Sequence, residues 1–197
     1  MGADHNTMVR LELIQILKHL ITHSEKEFTI RELSIVRDIN YKSAYEAIEK
    51  LHKEEIISVI KKGNTKLCKF TKKFTNSVYI SENERLEDAL TNSNLKVIHK
   101  EIQKVKSQAI ILLFGSYAKG TQTKKSDIDL LIISDNTKSF EKAISWIPKK
   151  LHITSITYTD FDLMLKSKEF TVVSEAIKSN IIICGVEDYY RFIENAK

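Results

Sequence analysis

The sequence predicts an α/β (α+β) protein in two parts: a helix-rich N-terminal part that ends in a β-hairpin, and a C-terminal part in which apolar strands alternate with helices. Its 197 residues are enough for two domains of ordinary size. Hydrophobic residues make up 42% and charged residues 29%, which is typical of a globular chain and excludes disorder as the main state. One Pro and five Gly exclude collagen-like and Pro-rich linker classes.

Three helices and a hairpin are predicted in the N-terminal part. In order, these are a helix from about Thr7 to Thr22, a short helix that opens after Thr29, a helix from Tyr41 to about Lys53, and strands at 56–61 and 66–70. Apolar residues at helical spacing predict the first helix, and Thr29 with Glu32 forms a capping box for the second. Gly63 and Asn64 supply the turn between the two strands.

The net charge of +5 is concentrated in one segment. Residues 41–73 contain nine basic and four acidic side chains, whereas residues 1–40 and 81–197 are close to neutral. Lys side chains that neutralise phosphates provide affinity for nucleic acid independent of base sequence. The charge distribution therefore predicts contact with DNA or RNA by the third helix and the hairpin.

The order helix, helix-turn-helix and β-hairpin resembles the winged-helix family of DNA-binding domains over roughly residues 7–74. In that family the third helix lies in the major groove and the hairpin touches the backbone or minor groove. The resemblance implies nucleic-acid contacts from Tyr41, Lys42, Ser43, Tyr45, Lys61, Lys62, Asn64 and Lys66. Winged helices also dock proteins and form homodimers, and Lys on a hairpin is often a solvated edge, so these alternatives stay open.

A segment of mixed polar composition, Thr75 to Glu84, predicts the domain boundary. We expect a winged-helix-like domain at 1–76, a linker and helix at 77–94, and a second domain at 95–197. The predicted elements of the second domain are helices at 95–107 and 139–146, strands at 109–114, 127–133 and 151–158, a helix opening at Thr159 or Asp160, and a closing helix, strand and helix at 169–179, 180–184 and 188–194.

The strongest motif joins the first two strands of this second domain. Gly115-Ser116 directly follows a buried strand, and ten residues later Asp127-Ile128-Asp129 opens the next one. This pattern resembles the minimal nucleotidyltransferases of the DNA polymerase beta-like superfamily, over roughly residues 95–190. The resemblance implies a nucleotidyltransferase-fold mixed sheet flanked by helices.

The residues of the motif suit phosphate and metal chemistry. Because side chains alternate along a strand, Asp127 and Asp129 project to one face, where two carboxylates suit Mg²⁺ (or Mn²⁺). Gly115 lets the backbone approach a phosphate, and Ser116 offers a hydroxyl and an N–H group. We expect Asp127 and Asp129 to be catalytic metal ligands, and Gly115, Ser116 and Lys119 to bind the nucleotide. By resemblance, the substrate is an NTP and the reaction transfers its NMP to a hydroxyl with release of pyrophosphate.

A third carboxylate is missing where the resemblance leads us to expect one. The strand predicted at 151–158 contains no Asp or Glu, and Thr154 is the expected equivalent. Asp160 and Asp162 are interpreted as residues of a helix start, with substitution for the missing carboxylate as the alternative. His152 is interpreted as a partly buried structural histidine, with a role as a base as the alternative.

Two classes of function follow. One is a Mg²⁺-dependent enzyme whose acceptor is a protein, an RNA or a small molecule, targeted by the winged helix. The alternative is a DNA-binding regulator, or an antitoxin-like partner of a toxin, whose transferase domain binds nucleotide without turnover. The two Cys residues lie far apart and no apolar run approaches the roughly 18 residues of a membrane span, so we expect a cytoplasmic protein with no membrane partner.

Overall fold

The computed structural model describes residues 5–167 and 171–196, and its chain divides into two compact units at Ser81/Glu82. This division falls inside the polar segment Thr75 to Glu84. Most of that segment belongs to a continuous helix from Asn76 to Ala89. Two of its polar residues, Ser81 and Glu82, are buried, which the polar composition of the segment did not indicate. Within the described ranges, no helix has the length and apolar character that a membrane crossing requires.

The first unit contains three helices and a three-stranded antiparallel sheet. In chain order its elements are α1 (His5–Thr22), β1 (Phe28–Thr29), α2 (Ile30–Val36), α3 (Tyr41–Lys53), β2 (Ile57–Lys62) and β3 (Thr65–Phe70), followed by the start of α4 (Asn76–Ala89). The strand order is β1-β3-β2, and β2 and β3 form the predicted hairpin. The two-residue strand β1 was not predicted, because two residues are too short to show an alternating pattern.

Local sequence signals set the starts of α2 and α3. The Thr29 hydroxyl accepts a hydrogen bond from the Glu32 N–H, and the Glu32 carboxylate accepts one from the Thr29 N–H, which confirms the capping box. The Asn40 side chain accepts from the Lys42 N–H at the start of α3. Apolar side chains on the inner faces of the helices are fully buried, among them Leu17, Leu33, Ile48 and Leu51.

The second unit is built around a four-stranded mixed sheet. After the end of α4, its elements are α5 (Ser93–Ile102), β4 (Ile110–Phe114), α6 (Gly115–Lys119), β5 (Ile128–Ile133), α7 (Thr137–Ile144), β6 (Leu151–Ile156), α8 (Tyr158–Lys166), α9 (Val172–Lys178), β7 (Ile181–Cys184) and α10 (Val186–Asn195). The strand order is β6-β5-β4-β7. Strand β4 pairs antiparallel with β5 and with β7, whereas β5 and β6 are parallel.

Several predicted boundaries shift in this unit. Helix α5 ends at Ile102, before the predicted Ser107. Helix α8 begins at Tyr158 and not at Thr159 or Asp160, because the extended Thr157 is its N-cap and accepts from the Asp160 N–H. The closing helix begins within the described residues at Val172, and its predicted start at Glu169 lies outside them.

The two central strands are almost completely buried. Every residue of β4 is buried, and in β5 only Asp129 is partly exposed. Strands covered on both faces show continuous apolar runs of this kind. Their tight burial makes β4 and β5 a rigid support for the residues at their ends.

A buried polar cluster joins three elements of the second unit. The Arg85 guanidinium donates hydrogen bonds to the Glu82 carboxylate and to the backbone oxygen of Asn180, while the Tyr190 hydroxyl donates to Glu82 at 2.6 Å. Burial and the neighbouring Glu82 carboxylate raise the pKa of Tyr190 well above its ordinary value, so the phenol stays protonated. The cluster therefore ties α4 to the start of β7 and to α10.

We predict that Arg85→Met lowers the free energy of unfolding of the second unit by about 3–5 kcal/mol, because it leaves the Glu82 carboxylate buried without its cation. Urea unfolding followed by the fluorescence of Trp146, the only tryptophan of the chain, measures this change. Lys104→Met is a matched control, because it removes another i,i+3 ion pair whose lysine is exposed. It should cost at most about 1 kcal/mol. Equal costs for the two variants would contradict a structural role for the buried cluster.

Candidate functional site

The predicted metal ligands lie where β4 ends and β5 begins. Because these strands are antiparallel, the last residue of β4, Phe114, pairs with Asp129. Ile128 and Leu130 are fully buried, whereas Asp127 and Asp129 are partly exposed, so the two carboxylates share the accessible face as predicted. The fold thus places Gly115 directly beside the Asp-x-Asp motif.

Gly115 makes the closest approach in the site. Its φ of +68° lies in the left-handed region, and a Cβ atom built on it would come within 2.1 Å of the Asp129 Oδ2 atom. The backbone conformation favours glycine at this position, and a larger residue would also have to displace the Asp129 carboxylate. From the sequence, Gly115 was expected to allow the approach of a phosphate, whereas in the structure its nearest side chain is Asp129.

The other predicted nucleotide-binding residues lie on the short helix α6, between the two strands. The backbone oxygen of Ser116 accepts a hydrogen bond from the Thr121 N–H at 3.0 Å, which holds the loop that follows the helix. Lys119 is exposed, and its Nζ lies 3.5 Å from the Glu175 carboxylate. Gly120 ends the helix in the left-handed conformation, with φ +69°. The motif residues Gly115 to Gly120 therefore form one short helix together with its left-handed C-cap.

Two side chains from β6 and the residue before it contact the two carboxylates, and neither was predicted as a site residue. The Lys150 Nζ donates to Asp127 Oδ2 at 2.6 Å, and the His152 Nδ1 lies 3.2 Å from Asp129 Oδ1. The parallel register pairs Asp129 with His152. The interpretation of His152 as partly buried was wrong, because its side chain is 70% exposed at the edge strand.

Thr154, the residue expected in place of a third carboxylate, lies one step further along the same face of β6. It pairs with Leu131, which is fully buried, and not with either aspartate. The β6 residue beside the Asp-x-Asp motif is therefore His152. Asp160 and Asp162 are engaged at helix α8, Asp160 in the capping box and Asp162 with Lys166.

A positively charged side chain, Lys150, partly balances the negative charge of the two carboxylates. The hydrogen bond to Asp127, together with the charge of that carboxylate, raises the pKa of Lys150 above its ordinary value. The Lys150 side chain is 79% exposed, and ion pairs of this kind contribute little to stability. A cation from solution can therefore replace Lys150 at Asp127 at small cost.

The donor set fits a divalent metal ion through its two aspartates. Both carboxylates are accessible and offer the oxygen ligands that Mg²⁺ and Mn²⁺ take in proteins. Among the described residues, no three His, Cys, Asp or Glu side chains are gathered closely enough to hold a metal by themselves. The remaining ligands of an ion at this site would come from substrate phosphates, from water or from a side chain that moves.

Four of the eight predicted nucleic-acid residues of the first unit line a groove between α2, α3 and the hairpin, whereas Lys42, Ser43, Lys61 and Lys62 lie outside its lining. It has a volume of about 860 Å³, and its lining includes Tyr41, Tyr45, Asn64 and Lys66, together with Arg31. Tyr41 and Tyr45 stand one helical turn apart on α3, and both are exposed. Ser43, which lies between them in the sequence, is partly buried, and Lys42 is exposed. Aromatic faces next to basic side chains are a common feature of nucleic-acid sites.

The lysines of this surface differ in whether a neighbouring carboxylate pairs with their charge. Lys66 donates to Glu49 at 2.9 Å and to the Tyr45 hydroxyl at 3.1 Å, and these bonds raise its pKa further above the ordinary value. Within the described ranges, Lys61 and Lys62 have no ion-pair partner and project from the exposed end of the hairpin. Lys61 and Lys62 are therefore the more available charges, and Lys66 is largely neutralised by Glu49.

Known proteins are similar to the part of the chain that contains the two aspartates. Residues 93–184 match the family described as Nucleotidyltransferase domain. Over 90 residues the chain is 38% identical to a Methanocaldococcus jannaschii protein named "Putative protein adenylyltransferase MJ1379", a match that covers 44% of this chain and 84% of the relative. The chain belongs to the nucleotidyltransferase domain family. The matched span includes the Gly-Ser turn, both aspartates and His152.

A solved structure is also similar to part of the chain. It is described as "Crystal structure of the toxin-antitoxin with AMP-PNP", and it shares 20% identity, with a TM-score of 0.33. The match covers 58% of this chain and 82% of that one. Members of the nucleotidyltransferase family generally use an NTP and a divalent metal ion, which agrees with the chemistry of the two aspartates.

We predict that Gly115→Ala weakens Mn²⁺ binding at least about tenfold, because the new Cβ displaces the Asp129 carboxylate from its position. Isothermal titration of Mn²⁺ into the protein measures the effect. Gly120→Ala is the matched control, since Gly120 has nearly the same φ but no atom within 4 Å of the position that its Cβ would take. Both variants should lose about 1–2 kcal/mol of stability from the left-handed backbone. Equal losses of Mn²⁺ affinity would contradict the close approach as the cause.

Proposed function

We propose that this chain transfers a nucleoside monophosphate from an NTP to a hydroxyl group, with Asp127 and Asp129 as catalytic metal ligands. The observation that supports this most directly is the junction of β4 and β5, where Gly115 is packed against the Asp129 carboxylate and both aspartates are partly exposed. A rigid pair of accessible carboxylates beside a glycine turn suits the binding of a metal-bound triphosphate. Gly115, Ser116 and Lys119 are the proposed nucleotide-binding residues.

In the proposed reaction, the oxygen of the acceptor hydroxyl attacks the α-phosphorus of the NTP. A new phosphorus–oxygen bond forms, the bond between the α-phosphorus and the bridging oxygen breaks, and pyrophosphate leaves with that oxygen. The hydroxyl proton passes to solvent. A bound Mg²⁺ or Mn²⁺ would supply charge neutralisation of the phosphates. Asp127 and Asp129 hold that ion, and the buried strand β5 fixes their orientation.

A protein hydroxyl is the acceptor that we favour, with ATP as the donor. This choice rests on the name of the relative from Methanocaldococcus jannaschii, which describes a protein adenylyltransferase. The same fold accommodates RNA ends and small molecules as acceptors, so the fold alone does not select among them. An acceptor assay therefore has to include all three classes.

The first unit is proposed to be a winged-helix domain that targets the enzyme to nucleic acid. Its three helices and β2-β3 hairpin follow in the order of that family, and α3 with the hairpin borders the groove that contains Tyr41 and Tyr45. Lys42, Lys61 and Lys62 provide phosphate contacts in this proposal, whereas Ser43 and Asn64 provide polar ones. Docking of a partner protein at the same surface, or homodimerisation, is the alternative use.

A nucleotide-binding regulator without turnover, alone or as the antitoxin-like partner of a toxin, is the second candidate. It is favoured by one specific observation: Lys150 and His152 face the two aspartates, and β6 contains no carboxylate. A protein of this class would bind the NTP through the same residues but would not release pyrophosphate. Binding and transfer therefore have to be measured separately.

We predict transfer of label from α-³²P-labelled ATP to a protein in cell extract, in the presence of Mg²⁺ or Mn²⁺. The variant Asp127→Asn/Asp129→Asn should lower the rate roughly 100-fold or more, since metal ions stabilise such transition states by several kcal/mol. The other labelled NTPs, total RNA and small hydroxyl compounds serve as parallel donors and acceptors. ATP binding by the wild type with no transfer to any acceptor would reject the enzyme in favour of the regulator.

For the first unit, we predict binding to duplex DNA that weakens as salt concentration rises. A plot of log affinity against log salt concentration has a negative slope. Lys61→Ala/Lys62→Ala should make that slope less steep by about 2, close to one unit for each lost phosphate contact. Lys66→Ala should have a smaller effect, because the charge of Lys66 is already paired with Glu49. Gel-shift titrations at several salt concentrations measure both.

Lys26→Ala is a matched control for this experiment, because it removes one exposed positive charge of the first unit outside α3 and the hairpin. It should leave the slope unchanged. No binding at low salt, or the same slope for the wild type and Lys61→Ala/Lys62→Ala, would count against docking of the hairpin on DNA.

A further inference from the structure

We infer that His152 is a nitrogen ligand of the metal ion at this site, so that the site selects transition-metal ions over Mg²⁺. The inference rests on the proposed function, in which Asp127 and Asp129 hold a divalent ion, and it names the third ligand. It starts from the position of His152, which pairs with Asp129 in the parallel register of β5 and β6.

The separation of the two side chains suits two ligands of one ion. The His152 Nδ1 lies 3.2 Å from the Asp129 Oδ1. Ligand atoms that are each about 2.1 Å from a metal ion and adjacent in its coordination sphere lie about 3 Å apart. Asp129 and His152 are thus already at a suitable spacing, with no change in the backbone of either strand.

The surroundings hold the Asp129 carboxylate in this position but leave His152 accessible. Gly115 is packed against the Oδ2 of Asp129, so Oδ1 is the oxygen turned toward β6. The His152 side chain is 70% exposed, which gives an ion free access from solvent. Asp127 lies on the same face of its chain segment but is held by Lys150. It joins the ion by exchanging that exposed lysine and moving toward Asp129 and His152, because the three side chains are not gathered at ligand spacing in the described part of the chain.

The chemistry of the donors determines which ion is preferred. Mg²⁺ takes oxygen ligands and retains several waters, whereas imidazole nitrogen binds later transition-metal ions more strongly. A site with two carboxylates and one imidazole therefore discriminates against Mg²⁺ more than a site with three carboxylates. Replacing His152 with aspartate would create the three-carboxylate site in the same framework.

The test uses Mn²⁺ as a paramagnetic probe of the full-length protein, with inorganic tripolyphosphate added because it supplies phosphates without nitrogen atoms. Electron spin echo envelope modulation of bound Mn²⁺ should show coupling to a directly bound ¹⁴N nucleus. This coupling should disappear in His152→Ala and in His152→Asp. It should persist in His99→Ala, which removes the other histidine of the second unit. Circular dichroism and thermal unfolding establish that each variant is folded.

A competition titration gives a second measurement. In His152→Asp, the ratio of Zn²⁺ affinity to Mg²⁺ affinity should fall by at least roughly tenfold relative to the wild type. Bound Mn²⁺ without nitrogen coupling, or coupling that survives in both His152 variants, would overturn the inference and leave the proposed transfer reaction standing. No Mn²⁺ binding by the wild type with tripolyphosphate would also overturn it. Failure of the transfer reaction itself is detected separately, by the absence of labelled product.

Discussion

The contact between the Gly115 backbone and the Asp129 carboxylate is the constraint on which the site depends. It requires the antiparallel register that pairs Phe114 with Asp129, and that register is fixed because both strands are buried. A slip of one residue would turn Asp129 into the core and expose Leu130. The apolar residues of the sheet therefore do more than stabilise the fold, because they also determine which side chains reach the site.

Local signals in the sequence predicted much of this arrangement. The Thr29 capping box, the hairpin turn and the alternation of Asp127, Ile128 and Asp129 all depend on residues a few positions apart, so they can be recognised in one sequence. Lys150 and His152 could not be found in this way. Each lies 23 residues from the aspartate that it contacts, and only the parallel register of β5 and β6 brings them together.

Amino-acid composition is also a limited guide to where the first unit has unpaired positive charge. Counting side chains gives residues 41–73 a net charge of +5. In the structure, however, Lys66, Lys72 and Lys73 each form an ion pair with a glutamate, two of them within that same segment and one with Glu25. A count of charges cannot show such pairs, because they depend on which side chains the fold brings together. The excess charge is consequently concentrated in fewer lysines than the sequence indicates.

An ion pair of the same kind engages Asp127 in the second unit. Two carboxylates that share one face repel each other, and here the fold places an ammonium group beside one and an imidazole beside the other. A third carboxylate at position 152 would instead add negative charge and strengthen the attraction for any cation. Because this chain has a histidine there, an ion depends less on the summed charge of its ligands and more on their chemical identity. In the proposed metal site, residue 152 therefore influences the choice of ion most, although the Gly-Ser and Asp-x-Asp motif does not include it.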